Sequence, residues 1–161
     1  MRRLLMLSHA LLIAQALAAH GTPVHQFGRH REKLRIAGRA GVVTEVAKKK
    51  LPEAEFDFVV DTTGSAEGLR QPAQMTRPCG TVILTSTVHG MVAIDTAPVI
   101  VNEVTLVGSR CERFEPALKL LASGKVRVAD MISDRFRLAA ASRAFALAAE
   151  RGALKVLLDG E

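Results

Sequence analysis

The sequence contains no tryptophan and no tyrosine, and its aromatic content rests on six phenylalanines. A stacking platform for single-stranded nucleic acid needs planar side chains in number, so that class of binder is not expected. Cysteine is nearly as scarce. Cys79 and Cys111 are the only two, too few for a disulfide-stapled scaffold or a four-cysteine zinc site, and both are expected to be small buried apolar residues. The five histidines are scattered without metal-ligand spacing, so no zinc is expected; His9, His20, His25 and His89 read first as surface or packing residues. Twelve glycines and six prolines exclude a collagenous or low-complexity chain. No apolar run is long enough to cross a bilayer as a helix, and a cytoplasmic protein with no membrane partner is expected.

What is present is a chain of 161 residues, 48% hydrophobic and 24% charged, which fits one globular domain over 1–161. Residues from about 129 to 161 are expected to be a carboxy-terminal extension packed on it. Charge is unevenly spread. Residues 1–50 hold ten Lys/Arg against two Glu, a net +8, while the whole chain is +6, so the remainder carries −2. A basic first third points to a polyanion, either a phosphate-bearing cofactor or nucleic acid, or else to a solvated basic face. Lys48-Lys49-Lys50 reads as such a face. No nucleic-acid motif accompanies the charge, and nucleic acid is not expected as a partner.

The amino terminus admits two readings. Met1-Arg2-Arg3 before Leu4-Leu5-Met6-Leu7 has the form of a secretory signal, with Ala14-Gln15-Ala16 or Ala16-Leu17-Ala18 as cleavage triplets. Ser8 and His9 interrupt the apolar run, however. The favoured reading is a strand, Arg3–Leu7, then a helix, Ala10–His20, ended at Gly21.

Strand and helix signals then alternate. Strands are expected at Pro23–Phe27, Gly41–Val43, Phe56–Asp61, Thr81–Ser86, Val99–Val107 and Ala153–Leu158, with Met131–Leu138 extended. Helices are expected at His30–Ala37, after Ser65, at Phe114–Ala122 and at Ala139–Arg151. Glu45–Leu51 reads as a helical turn or a loop, and Arg77-Pro78-Cys79-Gly80 as turn chemistry. Pro72 should end or kink its helix. This alternation predicts an α/β fold: an open, doubly wound parallel sheet of about six strands plus the terminal one, with helices on both faces.

Such sheets bind ligands outside the carboxyl ends of their strands. The candidate residues are therefore the strand exits: Ser8 and His9; Gly28, Arg29 and His30; Thr62, Thr63 and Gly64; Ser86 and Thr87; Gly108 and Ser109. Hydroxyls, glycines and cations suit a phosphate- and sugar-bearing ligand better than a metal or an acyl substrate.

Leu11-Leu12-Ile13-Ala14-Gln15, Gly28-Arg29-His30-Arg31-Glu32-Lys33-Leu34, Phe56 to Gly64, Arg77 to Val82, Val107 to Cys111 and Ala153 to Leu158 occur in an order that resembles the nucleotide-binding, Rossmann-type half of the medium-chain, zinc-type alcohol dehydrogenases. The resemblance implies a dinucleotide cofactor. It places Arg29 where the family reads the adenosine ribose; a guanidinium there in place of an acid implies NADP over NAD. It places Lys155 near the pyrophosphate and the Ser86-Thr87 and Gly108-Ser109 backbone near the nicotinamide. It further implies a homodimer through Val99–Val107, whose aliphatic residues suit an edge that must be covered.

Two departures qualify these implications. The family's G-x-G-x-x-G turn falls at Leu5, Leu7 and Ala10, where Leu7 would obstruct the pyrophosphate. The family's amino-terminal catalytic domain, the source of its zinc ligands, has no counterpart in these residues. A domain weakly catalytic or not catalytic alone is expected. The alternative is an assembly domain that has lost its cofactor.

Overall fold

Residues 3–5, 8–48, 50–88, 90–110, 113–150 and 152–160 are described by a computed structural model. The chain divides into two compact units, residues 1–126 and 127–161. In the first unit the elements run β1 (Arg3–Leu5), α1 (Ser8–Ala19), β2 (His25–Gly28), α2 (Arg31–Gly38), β3 (Val43–Val46), β4 (Phe56–Asp61), α3 (Ala66–Met75), β5 (Thr76–Leu84), α4 (Ala97–Val101), β6 (Thr105–Gly108) and α5 (Phe114–Ala122).

The strand order is β3-β2-β1-β4-β5-β6, and each neighbouring pair is parallel. Winding runs one way from β1 to β3 and the other way from β4 to β6. Right-handed crossovers then put α1 and α2 on one face and α3 on the other. β1 lies in the middle of the sheet. That strand is registered through Leu4↔His25 and Leu5↔Gln26 on one side and Arg3↔Phe58 and Leu4↔Val59 on the other.

β4 shows why the sheet needs cover on both faces. Val59 and Val60 are adjacent, so they point to opposite faces, and both are buried. Phe27, Phe56, Val59 and Met75 form one core cluster. The rings of Phe27 and Phe56 meet edge to face, with centroids 6.1 Å apart. Ala10, Leu11 and Ala14 of α1 and Leu34 and Ala37 of α2 are buried as well.

Several expected boundaries move. α1 starts at Ser8 rather than Ala10, and β2 and β3 begin at His25 and Val43. β5 begins at Thr76, so Arg77–Gly80 is not a turn before the strand but a bulge within it. Phe56↔Thr76 is followed by Phe58↔Thr81, so β5 has the extra residues. Cys79 takes φ 58° there and is exposed, not buried as expected, because the bulge turns it away from the sheet. Its Sγ lies 3.6 Å from Glu103 Oε2. Cys111 and His89 lie outside the described residues, as do Met6 and Leu7.

The run Val99–Val107 is not one strand. Ala97–Val101 is helix α4, and only Thr105–Gly108 is strand β6. The Asp95 carboxylate accepts a hydrogen bond from Ala97 N at 3.0 Å, and Pro98 sits in the helix's first turn, where its missing N–H costs nothing. These start signals outweigh the strand preference of Val99, Ile100 and Val101.

The second unit contains a short 3₁₀ turn (Ala129–Met131), β7 (Ile132–Arg137), α6 (Ala141–Ala148) and β8 (Lys155–Asp159). β8 does not join the larger sheet as a seventh strand; it pairs with β7 in parallel, and α6 packs on both. A βαβ unit of this kind satisfies the terminal strand locally.

Gly80 is fixed by close approach. A Cβ there would lie 2.5 Å from Thr76 Cγ2 and 2.9 Å from the carbonyl oxygens of Arg77 and Asp57. Gly80→Ala is expected to destabilise the protein by about 1–3 kcal/mol in urea unfolding. Gly38→Ala, where the nearest atom is Thr44 Oγ1 at 3.8 Å, should instead be neutral or stabilise by up to about 1 kcal/mol. Equal effects of the two would contradict the bulge packing.

Candidate functional site

The order of the strands reverses between β1 and β4, and the crevice of a doubly wound sheet opens at that point, outside the carboxyl ends. The exit of β4 is organised by Asp61, which is only 2% exposed. Its Oδ1 accepts a hydrogen bond from Thr63 N at 3.0 Å, closing an Asx turn. Its Oδ2 accepts from Ser86 Oγ at 3.4 Å, and Ser86 Oγ in turn accepts from Gly64 N at 3.1 Å. The Asp61 carbonyl takes two more bonds, from Thr85 N at 3.1 Å and Thr85 Oγ1 at 2.7 Å. Ser109 N donates to Leu84 O at 2.8 Å, which ties the exit of β6 to that of β5. Thr62, Thr63, Gly64, Ser86, Thr87, Gly108 and Ser109 are thereby gathered on three neighbouring strand ends. Gly64, Thr87, Gly108 and Ser109 face solvent there.

At the exit of β1, Ser8 and His9 are the first two residues of α1. The expected obstruction by Leu7 falls outside the described residues. Ala10, at the position of the family's third glycine, is fully buried, so the contact of α1 with the sheet accommodates its methyl group.

The exit of β2 is a separate pocket. Leu11, Gln26, Gly28, Arg29, His30, Lys33 and Leu34 line a cavity of about 20 Å³. A Cβ at Gly28 would stand 3.0 Å from Leu34 Cδ2, so an acidic residue there would have to displace Leu34. Arg29 and His30 are exposed and Lys33 half-buried. His30 Nδ1 is 3.5 Å from Glu32 Oε1, whereas Arg29 and Lys33 have no ion-pair partner among the described residues. α2 starts here. Its N-cap, His30, makes no side-chain cap, which leaves the first N–H groups of the helix available to an anion. Gln26 is 1% exposed, and its Oε1 has no hydrogen-bond partner among the described residues. Such an unmet buried acceptor costs roughly 1–3 kcal/mol.

Lys155, by contrast, belongs to the second unit, where it opens β8 and is exposed. Three contributors were not among the expected site residues. Asp61 was legible as the first residue of an Asp-Thr-Thr-Gly turn. Lys33 stands one turn into α2 beside the expected Arg29. Gln26 had no sequence signal, since a lone glutamine in a short strand marks nothing.

The family model for zinc-binding dehydrogenases matches residues 10–123. The chain belongs to the zinc-binding dehydrogenase family. Solved structures agree on the fold. L-idonate 5-dehydrogenase from Escherichia coli is 18% identical with a TM-score of 0.88, over 98% of this chain and 50% of that one. Alcohol dehydrogenase TADH from Thermus sp. ATN1 is 23% identical with a TM-score of 0.86, over 99% and 51%. S. aureus TarJ in complex with NADPH is 19% identical with a TM-score of 0.86, over 99% and 55%. The chain thus spans about half the length of these dehydrogenases. A search of curated proteins found no match. The match fits the zinc-binding dehydrogenases' dinucleotide-binding half. Among the described residues no three His, Cys, Asp or Glu side chains group as a metal ion requires, so these residues do not fit the zinc of the family's name. No helix among them is long and apolar enough to cross a membrane.

Asp61→Ala removes two acceptors and leaves the Thr63 N–H and the Ser86 hydroxyl proton without the acceptors they have here. It is expected to lower unfolding free energy by about 1–3 kcal/mol in a denaturant titration. A loss below about 0.5 kcal/mol would show that the strand exits do not depend on this carboxylate.

Proposed function

We propose that this chain is a dinucleotide-binding domain that prefers NADP to NAD. The observation that carries the reading is the exit of β2. Among the described residues Arg29 and Lys33 have no acidic partner beside the uncapped start of α2, and Gly28 removes any acidic side chain from the position before Arg29. A 2′-phosphate is the part of NADP that NAD lacks, and a guanidinium meets it with paired charge-assisted bonds. The hydroxyls and backbone at the exits of β4, β5 and β6 suit the sugar and nicotinamide end. TarJ, solved with NADPH, supports dinucleotide binding by likeness of fold, and a further fold neighbour solved with NADH shows that the fold alone does not choose between NADP and NAD. The cofactor, when bound, would accept a hydride as NADP and donate one as NADPH. The residues named here bind and orient, and none offers an electrophile to a carbonyl, so catalysis by this chain alone should be weak or absent.

In calorimetric titrations the native chain should bind NADP more tightly than NAD. Arg29→Asp should cut NADP affinity by about 10- to 100-fold and reverse or erase the preference, since a charge-assisted bond contributes roughly 1.5–3 kcal/mol. An unchanged NADP/NAD ratio would remove Arg29 from the site. The second reading, an assembly domain without cofactor, draws on the absence of any glycine before Gly21 and predicts that neither dinucleotide binds.

We also propose a homodimer through the edge at Val99–Val107, narrowed to β6. This strand ends the larger sheet, and Leu106 and Val107 are exposed, as are Ile100 and Val101 beside it. An unprotected apolar edge of this kind favours pairing with a second copy. Light scattering at micromolar concentration should give a dimer mass, and Leu106→Pro should give a folded monomer because proline removes a ladder donor. A native monomer would end this proposal.

A further inference from the structure

We propose that the free edge of β3 is a docking surface for an extended acidic peptide, which adds to the larger sheet as a further strand. The surface is separate from the dinucleotide reading and does not rest on it. β3 ends the larger sheet on the side opposite β6 and pairs with β2 alone. The hydrogen bonds show which backbone groups are left over. Val43 N donates to Val24 O at 3.1 Å, and Ala47 N donates to Gly28 O at 2.8 Å. In a parallel ladder alternate residues bond to the same neighbour, so residues 43, 45 and 47 face β2. Thr44 and Val46 turn their N–H and C=O groups to the outer side. Among the described residues those groups have no hydrogen-bond partner. A row of unpaired backbone donors and acceptors is a template for a strand from another chain.

Charge selects the occupant. Between α2 and β3 lies a groove of about 510 Å³, lined in part by Arg31, Arg35, Thr44, Val46 and Lys48. Thr44 faces α2, since its Oγ1 is 3.8 Å from where a Cβ at Gly38 would stand, and Val46 shares that face two residues on. Arg31 and Arg35 have no ion-pair partner among the described residues; Lys48 pairs with Glu45 at 3.7 Å. The two arginines stand about 6 Å apart along α2. Alternate side chains of an added strand recur about every 6.8 Å, so two acidic residues in alternate positions can each meet a guanidinium. The opposite face of the edge is apolar. Val43 is 61% exposed there and lines a hollow with Pro23 and His25. The pattern recognised is therefore acidic and aliphatic residues in alternation. A second copy of this chain is the occupant that charge refuses. Two β3 edges paired antiparallel about a twofold axis would put both α2 helices on one face of the joined sheet, bringing Arg31 and Arg35 of each copy towards those of the other. The same cations that guard the edge against self-association draw in a segment of opposite charge.

The test uses the whole chain and three short capped peptides: glutamate and valine in alternation, lysine and valine in alternation, and the first composition with its glutamates and valines in separate blocks. Fluorescence anisotropy should show the alternating acidic peptide binding about 10-fold more tightly than either of the others, and added salt should weaken it. Arg35→Glu should weaken it by about 5- to 10-fold. Saturation with that peptide should slow hydrogen exchange at the Thr44 and Val46 amides by about 10-fold or more, which separates strand addition from general attraction to charge. If no peptide binds, if all three bind alike, or if Arg35→Glu keeps the native affinity, the groove does not select an acidic strand and the proposal falls. It falls as well if the peptide binds without slowing exchange at Thr44 and Val46. A short oligothymidylate that binds as tightly and competes would make this a general polyanion surface and would also overturn it.

Discussion

Asp61 is a side chain almost without access to water, and each of its two carboxyl oxygens meets a donor. Thr63 N and Ser86 Oγ meet its side chain, and Thr85 meets its carbonyl twice. The end of β4 therefore cannot shift without the ends of β5 and the following loop shifting too. In a low-dielectric setting such a network is strong when complete and costly when broken. It converts three strand ends into one rigid shelf, with exposed hydroxyls and backbone on its outer side. The shelf stands next to the reversal of strand order, where the sheet leaves room for a ligand.

The other half of the site is set by charge rather than by hydrogen bonds. Glu45 is engaged by His25 and Lys48, and Glu32 by His30. Among the described residues Arg29 and Lys33 have no ion-pair partner, and both line the pocket at the exit of β2. Positive charge held without a partner raises the local potential for anions and fits a phosphate better than a neutral group. A Rossmann-type sheet alone says nothing of which dinucleotide it takes; the distinction lies in a few side chains past the second strand.

Most of the fold was legible because the decisive signals are local. Phe56–Asp61 and Phe114–Ala122 were found at their predicted bounds, one from a continuous β-forming run and the other from its Ser123-Gly124 stop. Val99–Val107 misled because β-branched residues were weighed above the Asp95 and Pro98 start signals. The pairing of β8 with β7 was not legible, since a short apolar strand does not announce its neighbour. For the site, the strand exits could be listed from sequence, but not what ties them together. Asp61 and Ser86 stand 25 residues apart, and only folding brings them within hydrogen-bond reach.

The claim that binds these observations is that the carboxyl edge of the larger sheet receives a 2′-phosphorylated dinucleotide across the strand reversal. A titration of uniformly ¹⁵N-labelled protein with NADP, followed by amide chemical shifts, tests it directly. Saturable shifts should appear at Ser8 and His9, Gly28 to Lys33, Thr62 to Gly64, Ser86 and Thr87, and Gly108 and Ser109, with NAD reproducing all but the Gly28–Lys33 group at full strength. Shifts confined to the opposite end of the strands, around Gly21, Gly41 and Glu55, or no shifts at millimolar NADP, would contradict it.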